Sequence, residues 1–557
     1  MQAGNLTIQF PTQQNAGNLT INWGDGEIDE YVSPLANFMP HTYSKAGVYT
    51  ITIQGNINNW SCSKEEASCS DSYCNQLVEI RSYGNATFGK YAFCKATQLD
   101  TLPTEGTPQF KSNDMTGAFY NASKFNQDIS FWDTSDITNM REVFYGTIFN
   151  QPLNTWNTSN VTDMSHMFHD ATKFNQPLNT WNTSKVTDLS YIFYNANAFN
   201  QPINTWNTSN VTNMSHLFYN AKVFNQHLYS WDTSKVTDMS YMFYYAFVFN
   251  KPVDTWNTSN VTDMSYMFAG QYDNYNAFNQ PLNTWDTSKV TNMSHMFYYA
   301  KVFNQPLNTW NTSKVTDMSY MFYYAKAFNQ PLNTWDTSKV TDMSYMFYYA
   351  NAFNQPLNTW NTSNVTDMSY MFSYTAFDQP LNTWNTSNVT NMSNMFLYAY
   401  AFNQSLNTWN TSNVTDMSTM FANTSAFNQP LNTWDTSNVT DMSTMFWGAS
   451  AFNQPLDSWD TSNVTNMRSM FSSAKAFNQP LNTWDTSNVT NMSYMFSYAT
   501  AFNQPINFWD VREVTSMKNI FEASGLDKAN YCKLFTGAYA SIWYKFKSSL
   551  GKSFTCD

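Results

Sequence analysis

The sequence predicts an α/β solenoid of leucine-rich-repeat type, with about 16–18 coils that each hold a short parallel strand and a short helix, preceded by a small β-sandwich. The first observation is a 25-residue motif repeated about sixteen times, almost letter for letter, from Phe125 to Phe521. The second is the helical spacing of apolar residues in each motif, and the third is strand-like alternation near the start of the chain. Such repeats bury their apolar side chains only against their neighbours, so we expect an extended surface without a central pocket.

Each repeat is numbered from the phenylalanine of its Phe-Asn-Gln segment, and the copy at 328–352 is FNQPLNTWDTSKVTDMSYMFYYANA. Most copies start 25 residues apart, two steps are 24, and one is 29 because residues 270–276 add a loop. Apolar residues recur at positions 1, 5, 8, 13, 16, 19, 20 and 23. The copies start at Phe125, Phe149, Phe174, Phe199, Phe224, Phe249, Phe278, Phe303, Phe328, Phe353, Phe377, Phe402, Phe427, Phe452, Phe477 and Phe502.

The second half of the repeat predicts a helix of two to three turns, because positions 16, 19, 20 and 23 follow the i, i+3, i+4, i+7 rule. Thr341 and Ser344 are expected to cap its first turn, and Asp342 suits the positive end of the helix dipole. Residues 330–335, QPLNTW, suit a short strand in a parallel ladder, and the following DTSK is typical of a turn. A parallel β-helix is the alternative, ranked second because the apolar spacing has period 3.6 and not 2.

The repeat string F-N-Q-x-L-x-x-W-D/N-T-S-x-V-T-x-M-S-x-M-F resembles the repeat of the BspA-type leucine-rich surface proteins. The similarity covers roughly residues 75–525, and residues 77–102 resemble the degenerate first coil that caps such arrays. The resemblance implies an extracellular, modular surface protein of the kind often assigned to adhesion or host interaction. It specifies a fold more closely than a biochemical role.

The N-terminal segment alternates in the manner of strands at Leu6–Phe10, Leu19–Trp23 and Val48–Ile53. Its WGDG turn at 23–26, followed by His-Thr-Tyr at 41–43, resembles a polycystic-kidney-disease domain, a small immunoglobulin-like β-sandwich. That resemblance implies a spacer or interaction module over residues 1–56. The alternative is a bare structural cap for the repeats. The predicted domains are therefore 1–56, a cysteine-containing cap with degenerate coils at 57–124, the solenoid at 125–525 and a C-terminal cap at 526–557.

All six cysteines flank the repeats, and an even number at the two ends suits disulfide-stapled caps in an oxidising compartment. Chain position favours a bond between Cys532 and Cys556, with two bonds among the other four. Zinc binding is the weaker alternative, because no C-x₂-C pair is present. The disulfide candidates are Cys62, Cys69, Cys74, Cys94, Cys532 and Cys556.

Asn-x-Ser/Thr sequons are dense and make candidate glycosylation sites in a secretory pathway. The alternative is that N-T-S-N-V-T supplies only turn and cap chemistry, with Asn and Thr side chains hydrogen-bonded in ladders. The candidates are Asn85, Asn121, Asn157, Asn160, Asn207, Asn210, Asn257, Asn260, Asn361, Asn364, Asn385, Asn388, Asn410 and Asn413.

Residues 1–5 begin directly with polar and strand-like sequence, so we expect no signal peptide, and the chain is either mature or trimmed or exported unconventionally. No apolar run approaches 18 residues, so no membrane span is expected. The net charge of −13 argues against nucleic-acid binding. Acidic residues, including Glu66, gather near the N-terminus, and the last thirty residues carry five lysines against the single acid Asp557. Unlike ends could steer head-to-tail association, and two solvated caps of unrelated charge are the alternative.

No catalytic constellation or metal site is predicted, so we expect no enzyme. His166, His216 and His295 share position 18, where other copies have Tyr, Thr, Ser or Asn, and none is spaced to activate a nucleophile. Stacked carboxylates such as Asp336 and Asp342 could bind Ca²⁺ between coils. Asn replaces Asp at both positions in other copies, so turn and cap chemistry is the better explanation, and no cofactor is expected.

Tyrosines crowd positions 18, 21 and 22 of the middle repeats, beside an apolar stripe that Met, Phe and Ala already fill. We expect an aromatic, weakly charged ridge that could contact a partner protein, a glycan or a lateral neighbour. The methionines at positions 16 and 19 are expected to fill the core. The ridge candidates are Tyr241, Tyr244, Tyr245, Tyr320, Tyr323, Tyr324, Tyr345, Tyr348 and Tyr349.

Three function classes follow. The favoured one is an extracellular structural or adhesive protein that presents its repeats to partners at the cell surface, and a sharper form polymerises head-to-tail into a filament. The second is a receptor-like module that binds carbohydrate or protein through the tyrosine ridge. The third, an enzyme, finds no supporting residues.

Overall fold

The computed structural model describes residues 6–11, 17–32, 38–65, 67–273 and 276–556. Residues 1–5, Glu66 and Asp557, on which the expectations about export and end charges partly depend, lie outside the described residues, as do 274–275 of the predicted loop. The chain forms two compact units, Met1–Val261 and Thr262–Asp557. Its strands are β1 (Thr7–Pro11), β2 (Leu19–Asn22), β3 (Ile28–Tyr31), β4 (Phe38–Thr42), β5 (Thr52–Gln54), β6 (Ser63–Glu65), β7 (Ser68–Ser72), β8 (Thr87–Phe88) and β9 (Gln109–Phe110), and its α-helices are α1 (Lys528–Lys533) and α2 (Ala540–Phe546).

The first unit begins with two small antiparallel sheets, one of order β1-β4 and one of order β3-β2-β5. Trp23, fully buried, stacks on the ring of His41 at 4.4 Å and meets Phe10 edge-on at 6.0 Å. Asp25 of the WGDG turn accepts the His41 hydrogen bond at 2.8 Å, which places the turn against β4. Gly24 in that turn has φ +81°, and a Cβ there would lie 2.5 Å from the Thr50 carbonyl oxygen. Two predicted strands agree with β1 and β2, whereas the third is shorter and later than expected, at β5.

The β6–β7 hairpin and two disulfides, Cys62–Cys74 and Cys69–Cys94, close the start of the repeat stack. Three backbone carbonyls of the first coil point back towards this cap, at residues 90, 92 and 94. Side chains of the cap donate hydrogen bonds to all three. The Trp60 indole donates to the carbonyl of residue 92 at 2.9 Å, the Ser61 hydroxyl to that of residue 90 at 2.8 Å, and the Ser72 hydroxyl to that of residue 94 at 2.6 Å. The cap therefore satisfies polar backbone groups that would otherwise be left at the open end of the stack.

Within each unit, every repeat lies on the next through its apolar core. All eight apolar positions of the copy at 328 are at most 2 % exposed, which confirms the apolar pattern as the core. Phe322 and Phe347, equivalent residues of neighbouring repeats, stack at 5.6 Å. The core residues of this copy are Phe328, Leu332, Trp335, Val340, Met343, Met346, Phe347 and Ala350.

Polar side chains form ladders beside this core. The backbone N–H of Asn329 donates to the side-chain oxygen of Asn304, one repeat earlier, at 3.0 Å. Thr337, 1 % exposed, donates its hydroxyl to the Asn361 carbonyl of the next repeat at 2.9 Å. These bonds explain why Asn and Thr recur at fixed positions of the motif, since each pairs a backbone group of an adjacent copy.

The predicted helix of the repeat is wrong: the described residues between 114 and 527 contain no helix. Backbone N–H groups alternate between two kinds of partner. Those of Tyr345 and Phe347 donate to Ser369 and Met371 of the next repeat, at 2.8 and 3.0 Å, whereas that of Met346 closes a tight turn onto Met343 at 3.3 Å. A helix of two turns is marginal in isolation, and here a neighbouring copy offers each second N–H a partner instead.

The predicted strand of the repeat is also wrong, since no strand is assigned to 330–335 or its equivalents in the described residues. Pro331 has no N–H to give to a ladder. Parallel bridges form instead at position 15, as between Asp317 and Asp342 and between Asp342 and Asp367. One bridged residue per repeat, rather than a run of six, links the copies in the manner of a sheet.

The second unit ends in α1 and α2, and the Cys532–Cys556 disulfide, the pair that chain position favours, joins α1 to the segment that follows α2. Asp527 caps α1 by accepting from the Asn530 N–H at 2.8 Å. The last repeat leaves N–H groups pointing towards this end, and Asn519 and Phe521 donate theirs to the carbonyls of residues 549 and 550, at 2.6 and 3.0 Å. The C-terminal segment thus pairs two backbone N–H groups at the end of the stack. In the described part of the chain, no helix is long and apolar enough to cross a bilayer.

Candidate binding surface

Rings at positions 18, 21 and 22 stack repeat upon repeat, and we call these stacks the aromatic columns. In the second unit the position-18 column runs through Tyr266, His295, Tyr320, Tyr345 and Tyr370, with ring centroids 4.1–4.5 Å apart. In the first unit His166, Tyr191, His216 and Tyr241 form the equivalent column at 4.2–4.5 Å. Each inner ring therefore has both faces covered by neighbours.

All nine tyrosines predicted for the ridge belong to these columns and are half-buried. Tyr324 stacks on Tyr349 at 4.3 Å, and Tyr323 on Tyr348 at 4.7 Å. Burial, followed by the neighbouring Tyr349, raises the pKa of Tyr348 to about 12, so its hydroxyl stays neutral at physiological pH. The columns present ring edges and neutral hydroxyls.

The backbone beneath the columns is left-handed at positions 18 and 22, with φ of 56° at Tyr345 and 55° at Tyr349. Such φ values are uncommon for residues other than glycine and cost about 1–2 kcal/mol each. The alternating hydrogen bonds and the ring stacking offset this cost. The same conformation recurs at these positions in repeat after repeat, and where both are aromatic each ring joins the column of its own position, as Tyr345 stacks on Tyr370 and Tyr349 on Tyr374.

The histidines of the columns are held neutral by burial, which lowers the pKa of His216 and of His295 to about 4. For His169, at position 21, burial and then the charges of His166 and His216 lower the pKa to about 3. His166 and His169 lie 3.2 Å apart through their Nδ1 atoms. Among the described residues, no group of three or more His, Cys, Asp or Glu is placed to hold a metal ion.

The carboxylates considered for Ca²⁺ accept hydrogen bonds from the backbone. Asp336 accepts from the Ser338 N–H at 2.9 Å and Asp342 from the Ser344 N–H at 2.8 Å, as turn and cap residues do. Burial raises the pKa of Asp342, although its hydrogen bonds to Ser344 lower it. This arrangement stabilises turns without any ion.

The paired sequons differ in what their amides do. Asn361 is exposed, and its Oδ1 accepts from the Ser363 N–H at 3.0 Å. Asn364 donates its nitrogen to the Ser338 carbonyl one repeat earlier at 2.7 Å. Asn157, Asn207, Asn257, Asn385 and Asn410 follow Asn361, and Asn160, Asn210, Asn260, Asn388 and Asn413 follow Asn364. Asn85 and Asn121 lie in the cap region, exposed and half-buried respectively.

The columns are interrupted over several copies of the second unit, where position 18 holds Asn394, Thr419, Thr444 and Ser469 in succession. In the copy that starts at Phe452, positions 21 and 22 are serines as well, Ser472 and Ser473. A groove of about 650 Å³ lies beside these serines. We call it the serine groove. A second polar groove, of about 490 Å³, lies in the first unit beside Lys95, Asn121 and Gly146.

Five overlapping segments, 113–222, 177–276, 269–376, 358–437 and 427–532, match the family described as "Mycoplasma protein of unknown function, DUF285". Together they cover more than half of the chain. The chain belongs to this family. No curated protein matches it. The DUF285 segments coincide with the repeats, so this is a repeat protein whose family carries no assigned function.

Sequence reasoning found the tyrosines of this DUF285 chain but missed the serine groove. The sequence carries little signal for it, because neighbouring copies also have non-aromatic residues at these positions, as Thr419, Ala422 and Asn423 show. A missing side chain has meaning only once the columns are known to stack.

Proposed function

We propose that this chain is an extracellular, non-enzymatic surface protein that displays its repeats to partners. The aromatic columns carry the proposal: half-buried rings and neutral hydroxyls recur along both units, which suits contact with a macromolecule. Three disulfides at the two ends support an oxidising, extracellular location.

The location is tested by trapping thiols with an alkylating reagent while the protein is isolated from the cells that make it. We expect no alkylated cysteine by mass spectrometry until a reductant is added. Six alkylated cysteines in the native protein would show a reducing compartment and contradict the proposal.

For the fold class we keep a solenoid of leucine-rich-repeat type, close to the BspA-type proteins, in which single bridges and tight turns stand where a strand and a helix were expected. A polycystic-kidney-disease-like module precedes it. Hydrogen bonds and ring contacts between residues one repeat apart support the solenoid. The two small sheets packed around Trp23 support the module. A parallel β-helix is the alternative, and a crystal structure of the repeats distinguishes the two classes.

The filament form of the proposal has a physical obstacle. Direct continuation from one copy to the next needs unpaired backbone groups at both ends, yet the first coil's carbonyls pair with Trp60, Ser61 and Ser72. Two N–H groups of the last repeat, those of Asn519 and Phe521, pair with residues 549 and 550. We therefore favour display by a single capped chain. Electron microscopy at high protein concentration tests this, and ordered filaments would reverse the preference.

A receptor-like role through the tyrosine ridge is the second candidate, favoured by the stacked rings of Tyr320, Tyr324, Tyr345 and Tyr349. Substituting these four by Ser should abolish binding of any glycan or protein ligand that uses the ridge. Tyr229→Ser is the matched control, because Tyr229 is exposed outside the columns. Equal loss in both variants, or none in the quadruple variant, would contradict the role.

A further inference from the structure

The C-terminal cap, residues 526–556, is a basic end on an acidic chain. It carries five lysines and, among its described residues, the single acid Asp527, whereas the whole chain has a net charge of −13. Asp527 is already engaged, since it accepts hydrogen bonds from the Asn530 N–H at 2.8 Å and from the Asn503 amide at 2.9 Å. An anionic partner is therefore attracted to this cap and repelled by the net negative charge of the other residues. The lysines are Lys528, Lys533, Lys545, Lys547 and Lys552.

Two of these lysines lie beside a pair of aromatic rings that joins the helices of the cap. Phe535, just after α1, packs against Tyr544 of α2 with ring centroids 4.7 Å apart. The Lys547 ammonium lies over both rings, 5.0 Å from the centroid of Phe535 and 5.2 Å from that of Tyr544. Cation–π attraction holds it there. Lys545 follows Tyr544 directly and is exposed. We call Phe535, Tyr544, Lys545 and Lys547 the basic–aromatic cluster.

The lysines of the cluster have charges that the protein does not pair. In the part of the chain that the structure describes, neither Lys545 nor Lys547 forms an ion pair. Exposed lysines of the repeats differ, because Lys289 and Lys339 each stand three residues after an aspartate of the same repeat and interact with its charge. A bound anion would supply the partner that the cluster lysines lack.

A bilayer and a protein surface fit this cap less well. Peripheral helices enter a bilayer through a broad apolar face. Among the described residues of the cap, Tyr544, at 54 %, is the one large apolar or aromatic side chain that is exposed. A stable protein interface needs a buried apolar and aromatic core within about 800 Å² per partner. One exposed ring supplies too little for either.

The spacing of negative charge separates two classes of polyanion. Double-stranded DNA carries one charge per about 1.7 Å, and a chain with a net charge of −13 repels so dense an anion strongly. An acidic polysaccharide carries its charges farther apart, and the C–H faces of the sugar rings between them can pack on a tyrosine. Separated acidic groups with apolar ring faces between them match two lysines beside one exposed ring.

We propose that the basic–aromatic cluster binds an acidic polysaccharide, with carboxylate or sulfate groups paired to Lys545 and Lys547 and a sugar ring packed on Tyr544. The other three lysines of the cap add longer-range attraction. Binding here attaches the chain through its C-terminal cap and leaves the aromatic columns uncovered. The proposal goes beyond the display function and does not depend on it, because attachment to an acidic polymer is measured on the purified chain.

The test measures the affinity of the full chain for hyaluronate, heparin and neutral dextran by calorimetry. We expect binding of an acidic polymer and none of dextran. The affinity should fall at least about tenfold between about 50 and 300 mM salt, because salt screens exposed charges. At low salt, Lys545→Gln combined with Lys547→Gln should lose at least about tenfold in affinity, since both charge-assisted contacts disappear.

Two single variants separate the contacts. Lys545→Gln alone leaves Lys547 over its rings, so the cap stays intact, and it should still lose about threefold in affinity. Tyr544→Ser should also lose about threefold, because the sugar ring loses its packing surface. The matched control is Lys289→Gln with Lys339→Gln, which removes the same charge from the repeats and should leave the affinity unchanged. Circular dichroism checks that each variant is folded.

Four results would overturn the proposal: no binding of either acidic polymer, equal binding of dextran, an affinity that salt leaves unchanged, or an equal loss in the control. An unchanged affinity in Tyr544→Ser would refute the ring contact. Tighter binding to duplex DNA or to phosphatidylglycerol vesicles would assign the cap to that partner instead. Self-association without polymer, seen by sedimentation, would assign it to an acidic surface of a second copy. Thiol trapping reports separately on the display function, so the two proposals fail independently.

Discussion

Trp335 donates its indole N–H to the backbone carbonyl of Leu307, 28 residues earlier, at 3.0 Å. The same bond joins Trp310 to Leu282 and Trp360 to Leu332, each at 3.0 Å. The indole thus packs in the core and pairs a carbonyl of the preceding repeat. This dual role explains why position 8 is tryptophan rather than another large apolar residue.

Trp335→Phe should lower the free energy of unfolding by about 1–3 kcal/mol, because one buried hydrogen bond is lost and the smaller ring leaves unfilled space. Urea unfolding followed by circular dichroism measures the change. Trp447→Phe is the matched control, since Trp447 is exposed and forms no indole hydrogen bond among the described residues. Equal losses in both variants would show that the Leu307 bond contributes nothing.

The apolar pattern of the repeat could be predicted from the sequence, and the backbone path could not. Met343, Met346 and Phe347 are buried, as apolar side chains at recurring positions are expected to be in either type of solenoid. The path depends on hydrogen bonds to a neighbouring repeat and on left-handed φ at Tyr345. Local helix propensity reveals neither these hydrogen bonds nor the left-handed φ. The apolar spacing of positions 16, 19, 20 and 23 also fits a helix, and it therefore predicted one.

The candidate site, too, has one part that could be predicted from the sequence and one that could not. The tyrosines were found because a chemically conspicuous residue recurs, as Tyr320 and Tyr345 do at position 18. The groove at Ser472 needed the knowledge that the rings stack in register, which is a property of neighbouring copies. Repetition reveals which residues recur, and only three-dimensional stacking shows which residues of neighbouring copies line a groove together.

Gly448→Ala should destabilise the second unit by about 1–2 kcal/mol. Gly448 has φ +68°, and an added Cβ would clash with Oδ1 of Asn423 in the preceding repeat. The equivalent Ser473 tolerates a similar φ of 60°, so the close contact decides the effect. Urea unfolding of the single variants and of Gly448→Ala with Asn423→Ala measures the coupling. We expect the double variant to recover most of the loss, and strict additivity would refute the contact.

The stability of the second unit should fall as the pH falls from about 6.5 to about 4, in part through His295. Burial between Tyr266 and Tyr320 lowers the pKa of His295 from 6.5 to about 4. In that window the unfolded chain binds a proton at this ring and the folded chain does not, so acid favours unfolding. Above pH 6.5 the contribution is constant.

His295→Tyr, which restores the residue of neighbouring copies, should flatten this dependence when urea midpoints at pH 7.5 and 5 are compared. His227→Gln serves as the control, since His227 is exposed outside the columns. An unchanged pH dependence in His295→Tyr would show that other groups govern acid stability.

Removing the Cys532–Cys556 disulfide with Cys532→Ser and Cys556→Ser should loosen the C-terminal cap without unfolding the middle repeats. The bond closes a loop with a sequence separation of 24, and losing such a loop costs about 2–4 kcal/mol of local stability. The amides of Asn519 and Phe521 donate to carbonyls of residues 549 and 550 inside this loop. Hydrogen exchange at these two amides should therefore accelerate at least about tenfold.

The Tyr345 amide, bonded to Ser369 at 2.8 Å in the interior of the unit, should keep its exchange rate and serves as the control. Repeats contact only their neighbours, so a loss at the cap spreads little. Equal acceleration at Tyr345 would mean instead that the whole unit unfolds as one cooperative body and that the cap holds it together.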